Sequence, residues 1–140
     1  MTVRAGMAGV GAIGTVVCNA LKNNDIYGMS LAAVSDIRKD LPFDVPNLSF
    51  AELAEKTDVV IEALPPDAVP ALAKEVLSRG KTLVMISGAA LLRFPEIKEW
   101  AEESRGRIIV PSGALAGIDG VRALNSMGLK SASIRSTKKP

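Results

Sequence analysis

Three glycines in the stretch MAGVGAIGTV have the spacing of a turn that binds phosphate groups. Gly9, Gly11 and Gly14 fit the pattern G-x-G-x-x-G, with Ala12 and Ile13 before the last glycine. An apolar segment precedes them and a helical segment follows, so we expect a strand, a tight turn at Gly9 and a helix start. Gly11 would let a pyrophosphate approach the backbone, and Gly14 would let the helix pack closely on the strand. Amides at a helix start favour phosphate charge, so Ala12 and Ile13 are candidate binding residues too.

An aspartate, Asp36, ends the next apolar segment, 22 residues beyond Gly14. A carboxylate at this position can accept hydrogen bonds from both hydroxyls of an adenosine ribose, and it repels a 2′-phosphate. Arg38 and Lys39 follow and could instead partner a 2′-phosphate. The pattern therefore favours NAD as cofactor and leaves NADP open. The alternative is a solvated loop aspartate beside a glycine-rich turn.

Strings of small residues follow three later apolar segments: EALPPDA from Glu62, SGAALL from Ser87 and PSGALAGIDG from Pro111. Ligands of parallel sheets bind outside the carboxyl ends of the strands, so these loops are expected to face one crevice. Small side chains there leave room for a nicotinamide ring, although each string taken singly also fits close packing of a helix on the sheet. The additional candidate cofactor-binding residues are Ala63, Leu64, Pro65, Ser87 and Gly88.

Residue types suited to acid–base, thiol or metal chemistry are scarce. The chain has no histidine and one cysteine, Cys18, which excludes an internal disulfide and a metal site of several cysteines. Cys18 lies in an apolar helical segment, so we expect a small buried side chain. Proton transfer near neutral pH usually relies on histidine, so we expect no catalytic residue and no metal ligand here. Arg93 and Arg122 are the cations nearest to the predicted crevice, and a solvated surface role is expected for both.

The elements that carry these residues alternate between apolar and amphipathic segments. This alternation predicts an α/β fold, a doubly wound parallel sheet of Rossmann type with about six strands and helices on both faces. Ser49 and Glu52 form a capping-box pattern at one helix start, and Asp67 is expected to cap a later helix that holds Pro70 in its first turn. The strands are predicted at residues 4–10, 29–35, 58–64, 82–87, 107–111 and 131–137.

Length, hydropathy and charge restrict the class of protein. A chain of 140 residues that is 48% hydrophobic can bury the core of one domain. Its mean hydropathy is high, at +0.24, but no apolar run reaches the ~18 residues that cross a bilayer. A parallel sheet buried on both faces accounts for the high value. No signal peptide is recognisable, so we expect a cytoplasmic protein. The net charge of +2 arises from four cations after residue 129, and with 4% aromatic residues neither nucleic acid nor membrane is an expected partner.

Longer stretches of the sequence resemble the L-aspartate dehydrogenase family. The stretches are AGVGAIG, AAVSD, DVVIEALPPDAV, LVMISGAALL and GRIIVPSGALAGIDGVRAL, followed near the end by TKKP. Together they extend over nearly the whole chain, and the string from Ser112 to Asp119 is the most specific of them.

The resemblance implies a Rossmann domain followed by a smaller α+β substrate domain. The implied reaction is NAD(P)-linked oxidation of aspartate to iminosuccinate, or the reverse amination of oxaloacetate. Ala114 would contact the cofactor, whereas the family's catalytic histidine and the subunit contacts of a homo-oligomer would belong to the second domain. We therefore predict a dinucleotide-binding domain over residues 1–128, and a strand and tail over 129–140 that lead into a substrate domain outside this chain.

Two other functions also fit the sequence. The chain could be a stand-alone dinucleotide-binding module, such as a redox sensor or a subunit whose catalytic partner is another chain. It could also belong to a related dehydrogenase such as homoserine dehydrogenase, because a Rossmann motif does not determine the substrate.

Overall fold

A computed structural model describes residues 2–113, 118–135 and 137 of the chain. These residues form a parallel sheet of five strands in the order β2-β1-β3-β4-β5. The strands are β1 Val3–Ala8, β2 Met29–Ser35, β3 Val59–Glu62, β4 Thr82–Met85 and β5 Arg107–Ile109. The helices are α1 Ala12–Lys22, α2 Phe50–Lys56, α3 Val69–Leu77, α4 Ala90–Arg93, α5 Glu96–Glu103 and α6 Ile118–Ser126, with a 3₁₀ turn at Pro66–Ala68.

Helices pack on both faces of the sheet, as the doubly wound prediction requires. Successive strand residues point to opposite faces, and Val60 lies in one buried cluster while its neighbour Ile61 lies in the other. The first cluster is built with side chains of α2, α3 and α5. The second contains Cys18 of α1, whose burial raises the pKa of its thiol to about 11. Cys18 is thus the buried apolar side chain that its sequence context predicts.

The strand order reverses at β1, and this reversal fixes the place where a ligand can bind. The chain passes from β1 to β2 on one side and then returns to β3 on the other side of β1. The connection after β1 leads to β2 on one side, whereas the connection after β3 leads to β4 on the other side, so a crevice opens at the carboxyl ends of β1 and β3. Within the described ranges, no helix is both long and apolar enough to cross a membrane.

The predicted sixth strand is wrong for the part of it that the structure describes. Residues 131–135 and 137 carry no strand, and residues 131–135 are exposed. A strand needs a partner for its backbone hydrogen bonds, and among the described residues β5 pairs with β4 alone. Residues 131–135 do not use the free edge of β5, although their residue types alternate as in a strand.

Two helix starts were predicted from capping residues, and one of them is confirmed. The Ser49 hydroxyl accepts the Glu52 amide at 3.3 Å, and the Glu52 carboxylate accepts the Ser49 amide at 3.0 Å, which together form the capping box. The predicted cap at Asp67 is wrong, because a 3₁₀ turn already occupies this stretch and Ala68 is the N-cap residue of α3. Pro70 does lie in the first turn of that helix.

Candidate cofactor-binding site

The loops after the first four strands of the chain surround one continuous crevice. A larger cleft of about 680 Å³ lies on the β2 side, and a smaller one of about 260 Å³ lies beside the start of α1. Gly11, Ala63 and Leu64 line both clefts, so the two are joined at the glycine turn. The larger cleft is also lined by Gly9, Ser35, Asp36, Ile37, Arg38, Leu48, Ser49, Phe50, Pro65 and Ala68. The smaller one is also lined by Ala12, Ile13, Gly14, Ile86 and Ser87.

The three glycines of the turn have different surroundings. Gly9 has a φ of +86°, and a β-carbon there would lie 2.4 Å from the Ala63 carbonyl oxygen. A β-carbon at Gly14 would lie 2.0 Å from the Gly9 carbonyl oxygen. At Gly11, by contrast, no described atom lies within 4 Å of where a β-carbon would be. Gly9 and Gly14 therefore permit tight packing, whereas Gly11 leaves the backbone open to the crevice.

Helix α1 begins at the centre of this crevice without a side-chain cap. Its N-cap residue is Gly11, and the structure gives this helix start no side-chain cap hydrogen bond among the residues it describes. The first amides of a helix have no partner within the helix, and Ala12, Ile13 and Gly14 line the smaller cleft. Together with the open position at Gly11, this helix start has the chemistry and the space for a diphosphate.

Asp36 is held by the chain itself, which the sequence pattern did not indicate. Its Oδ2 accepts the Val10 amide at 2.6 Å, and its Oδ1 accepts the Arg38 amide and Nε, both at 2.9 Å. Arg38 Nη2 donates to Oδ2 at 3.1 Å and to the Val10 carbonyl. The side-chain hydrogen bond from Arg38 holds the pKa of Asp36 well below its usual range. In this structure Arg38 therefore donates to the Asp36 oxygens that were predicted to accept hydrogen bonds from the ribose hydroxyls.

Asn47 fixes the loop that carries Asp36, although no sequence motif singles it out. Its side-chain oxygen accepts the Asp36 amide at 3.0 Å, and its side-chain nitrogen donates to the carbonyls of Asp36 and Arg38 at 3.1 and 2.7 Å. These three bonds satisfy the backbone on both sides of the loop. The Asp36 carboxylate is consequently presented at the crevice by a loop with a defined conformation.

On the other side of the glycine turn, the loops after β3 and β4 are joined by Glu62. This side chain is fully buried. Its Oε1 accepts the Leu64 amide at 2.5 Å and its Oε2 accepts the Ser87 amide at 3.0 Å, while the Ser87 hydroxyl donates to the Leu64 carbonyl at 3.0 Å. No sequence motif identified Glu62 as a site residue. The sequence feature that could have identified it is a charged residue at the end of the apolar run VVI.

The remaining candidates divide between the crevice and other places. Gly88 lines neither cleft, and a β-carbon there would lie 2.6 Å from the Val110 side chain, so its small size serves packing. Arg93 has the expected surface role: it pairs with Asp67 at 2.6 Å and lies 5.1 Å from the centre of the Phe94 ring. Ala114 lies outside the described residues. In the described chain no group of three metal-ligating side chains comes together.

Comparison with known proteins agrees with this geometry. Residues 9–111 match the family model described as "Homoserine dehydrogenase, NAD binding domain". The chain belongs to this family of NAD-binding domains. The match includes the glycine turn, the loop of Asp36 and the loops after β3 and β4.

The similar curated proteins are L-aspartate dehydrogenases. L-aspartate dehydrogenase 3 of Bordetella bronchiseptica is 38% identical over 96% of this chain and 52% of its own length. The L-aspartate dehydrogenase of Bradyrhizobium diazoefficiens is 35% identical over 86% of this chain and 45% of its own length. The resemblance identified in the sequence is thus confirmed. This NAD-binding chain spans about half the length of these relatives.

Solved structures share the fold. Aspartate dehydrogenase from Thermotoga maritima matches with a TM-score of 0.67 and 20% identity, over 90% of this chain and 52% of its own. The WlbA dehydrogenase from Bordetella pertussis, solved with NADH and UDP-GlcNAcA, matches with a TM-score of 0.68 and 18% identity, over 91% of this chain and 43% of its own. The predicted Rossmann-type α/β class is confirmed, with five strands in the described residues instead of about six.

The glycine turn leads to a stability prediction. Gly14→Ala should lower the free energy of unfolding by about 2 kcal/mol or more, because the new methyl group forces α1 away from the Gly9 carbonyl. Gly11→Ala is the matched control and should cost less than about 1 kcal/mol, because its methyl group enters open space. Urea unfolding followed by circular dichroism measures both. Equal losses in the two variants would contradict the packing role of Gly14.

Proposed function

We propose that this chain binds NAD along the crevice and forms the NAD-binding part of an L-aspartate dehydrogenase. The observation that carries the proposal is the uncapped start of α1 at Gly11, where both clefts meet. The family match supports NAD as the cofactor, and the similar L-aspartate dehydrogenases support an amino acid as the substrate class.

The residues present suit each part of a dinucleotide. The Asp36 carboxylate, with Gly9 and Pro65 nearby in the larger cleft, would hold the adenosine half. The backbone at Gly11 and the first amides of α1, from Ala12, Ile13 and Gly14, would hold the diphosphate. The smaller cleft, with Ala63, Leu64 and Ser87, would receive the nicotinamide half. Ala114 is proposed as a further contact on the resemblance alone.

The chain's own contribution is binding and orientation. When bound, NAD accepts a hydride from the α-carbon of the amino acid, and this oxidation also requires loss of a proton from the amine. A group that titrates near neutrality serves that step best, and the chain has no histidine. We therefore place the proton-transfer group and the anchors for the substrate carboxylates in other parts of the whole protein. We expect that protein to be cytoplasmic and to form homo-oligomers through those parts.

Two alternatives have specific support. The description of the matching family model includes homoserine dehydrogenase, so homoserine is a competing substrate. The absence of histidine from the sequence also fits a dinucleotide-binding module or redox sensor. Assays with each substrate separate the dehydrogenases from one another, and NADH binding without turnover in any longer polypeptide would favour the module.

The binding proposal predicts that Gly11→Val abolishes detectable NADH binding. A β-branched side chain at this position fills the open space over the helix start and blocks the diphosphate. Isothermal titration calorimetry measures the affinity, with circular dichroism to verify the fold. Ser78→Val is the control, because exposed Ser78 follows α3 at the opposite edge of the sheet. Unchanged NADH affinity in Gly11→Val would contradict the proposed diphosphate site.

Cofactor preference should depend on the pair Asp36 and Arg38. Arg38→Ala frees the carboxylate for the ribose hydroxyls and removes a cation for a 2′-phosphate, so NADH should bind several-fold tighter and NADPH about tenfold weaker. Asp36→Ser should shift the preference toward NADPH. Competition titrations with both cofactors measure these ratios. If the unmodified chain binds NADPH more tightly than NADH, the role given to Asp36 is wrong.

The division of labour predicts that the 140-residue chain alone does not oxidise aspartate. The expectation follows from the missing titratable base and the missing substrate anchors. A longer polypeptide that carries this sequence and a histidine-containing substrate domain should reduce NAD with aspartate, as measured by NADH absorbance. Robust turnover by the 140-residue chain would contradict the division, and turnover with homoserine in place of aspartate would contradict the substrate.

A further inference from the structure

Glu62 is the one acidic or basic residue that is fully buried in the described part of the chain. It ends β3, which lies between β1 and β4 in the sheet. A charged group removed from water is costly unless partners compensate it, so its position calls for a physical reason. Tying two loops together is one such reason, because a neutral glutamine has only one acceptor oxygen and could not accept an amide at both ends of its side-chain group.

The contacts of Glu62 are those of an ionised carboxylate. Each of its two oxygens accepts a backbone amide, from Leu64 and from Ser87. An ionised carboxylate only accepts hydrogen bonds, whereas a protonated one also needs an acceptor for its own hydrogen. Among the described residues, no lysine or arginine forms an ion pair with Glu62. Its negative charge is therefore balanced by amide dipoles alone.

This charge is bound by two residues that line the smaller cleft. Leu64 and Ser87, whose amides bind the carboxylate, both line that cleft beside the first residues of α1. Asp36 lines the larger cleft on the opposite side of the glycine turn. A dinucleotide with its adenosine ribose at Asp36 and its diphosphate at Gly11 extends its nicotinamide half toward Glu62.

We propose that the buried Glu62 carboxylate selects the redox state of the cofactor by favouring NAD⁺ over NADH. The nicotinamide ring of NAD⁺ carries a positive charge and that of NADH is neutral, so a nearby negative charge attracts the oxidised form alone. The attraction is strengthened because burial keeps water and salt away from the carboxylate. Tighter binding of NAD⁺ also makes bound NADH a stronger hydride donor, by thermodynamic linkage. This inference rests on the proposed binding of NAD in the crevice.

The test compares three ligands on the 140-residue chain by isothermal titration calorimetry: NAD⁺, NADH and ADP-ribose, which lacks the nicotinamide. Glu62→Gln keeps the size of the side chain and removes the charge. It should raise the ratio of the NAD⁺ to the NADH dissociation constant by about tenfold. The affinity for ADP-ribose should stay within about twofold. Glu55→Gln removes an equal charge from an exposed position on α2 and should leave the ratio unchanged.

One further variant separates charge from loop structure. Glu62→Asp keeps the charge, so the ratio should stay near that of the unmodified chain even where both affinities fall. An equal loss of NAD⁺ and NADH affinity in Glu62→Gln would overturn the inference and leave Glu62 a purely structural role.

The unmodified chain supplies a measurement that does not depend on how the variants fold. Its NAD⁺ affinity should at least equal its NADH affinity, and NADH binding that is tenfold tighter would overturn the inference. Failure of all three ligands to bind would contradict the proposed NAD site itself. Binding of all three with no effect of Glu62→Gln on the ratio would contradict the role of Glu62 alone.

Discussion

The architecture depends on the approach of three backbones at the glycine turn. The end of β1, the start of α1 and the loop after β3 come so close that a β-carbon at Gly9 would meet Ala63 and one at Gly14 would meet Gly9. This contact brings the first turn of α1 directly over the carboxyl edge of the sheet. Gly11 then faces open space. The crevice thus depends on tight packing at Gly9 and Gly14 and on the open space at Gly11.

Two carboxylates hold the loops on either side of that turn, and each does so by accepting backbone amides. Asp36 binds the amide of Val10, and Glu62 binds those of Leu64 and Ser87. Charge-assisted bonds of this kind are among the stronger hydrogen bonds in proteins. The two groups differ in their counterions, because Arg38 pairs with Asp36 while Glu62 has no ion-pair partner among the described residues. One charge is therefore paired with a cation, whereas the other is compensated by backbone amides.

The proposed activity follows from residue types and from the relatives. The chain belongs to a family of NAD-binding domains, and its similar proteins are L-aspartate dehydrogenases about twice as long as the matched region. Its crevice offers backbone amides, small side chains and carboxylates, which suit a dinucleotide. Without histidine, it offers no side chain that titrates near neutral pH in the ordinary way. We infer that cofactor binding and proton transfer are divided between different parts of the whole protein.

Local patterns in the sequence determined the fold class, the order of the elements and the centre of the site. The apolar segments predicted five strands at nearly their observed positions, the glycine spacing predicted the turn before α1, and Ser49 with Glu52 predicted the start of α2. These features depend on residues within a few positions of each other. Tertiary structure decided the rest: Asp36 meets an amide 26 residues away, Glu62 meets one 25 residues away, and Arg38 reaches the carbonyl of Val10. The predicted sixth strand did not form in residues 131–135, because pairing with a sheet edge is a tertiary contact and no local pattern of residues specifies it.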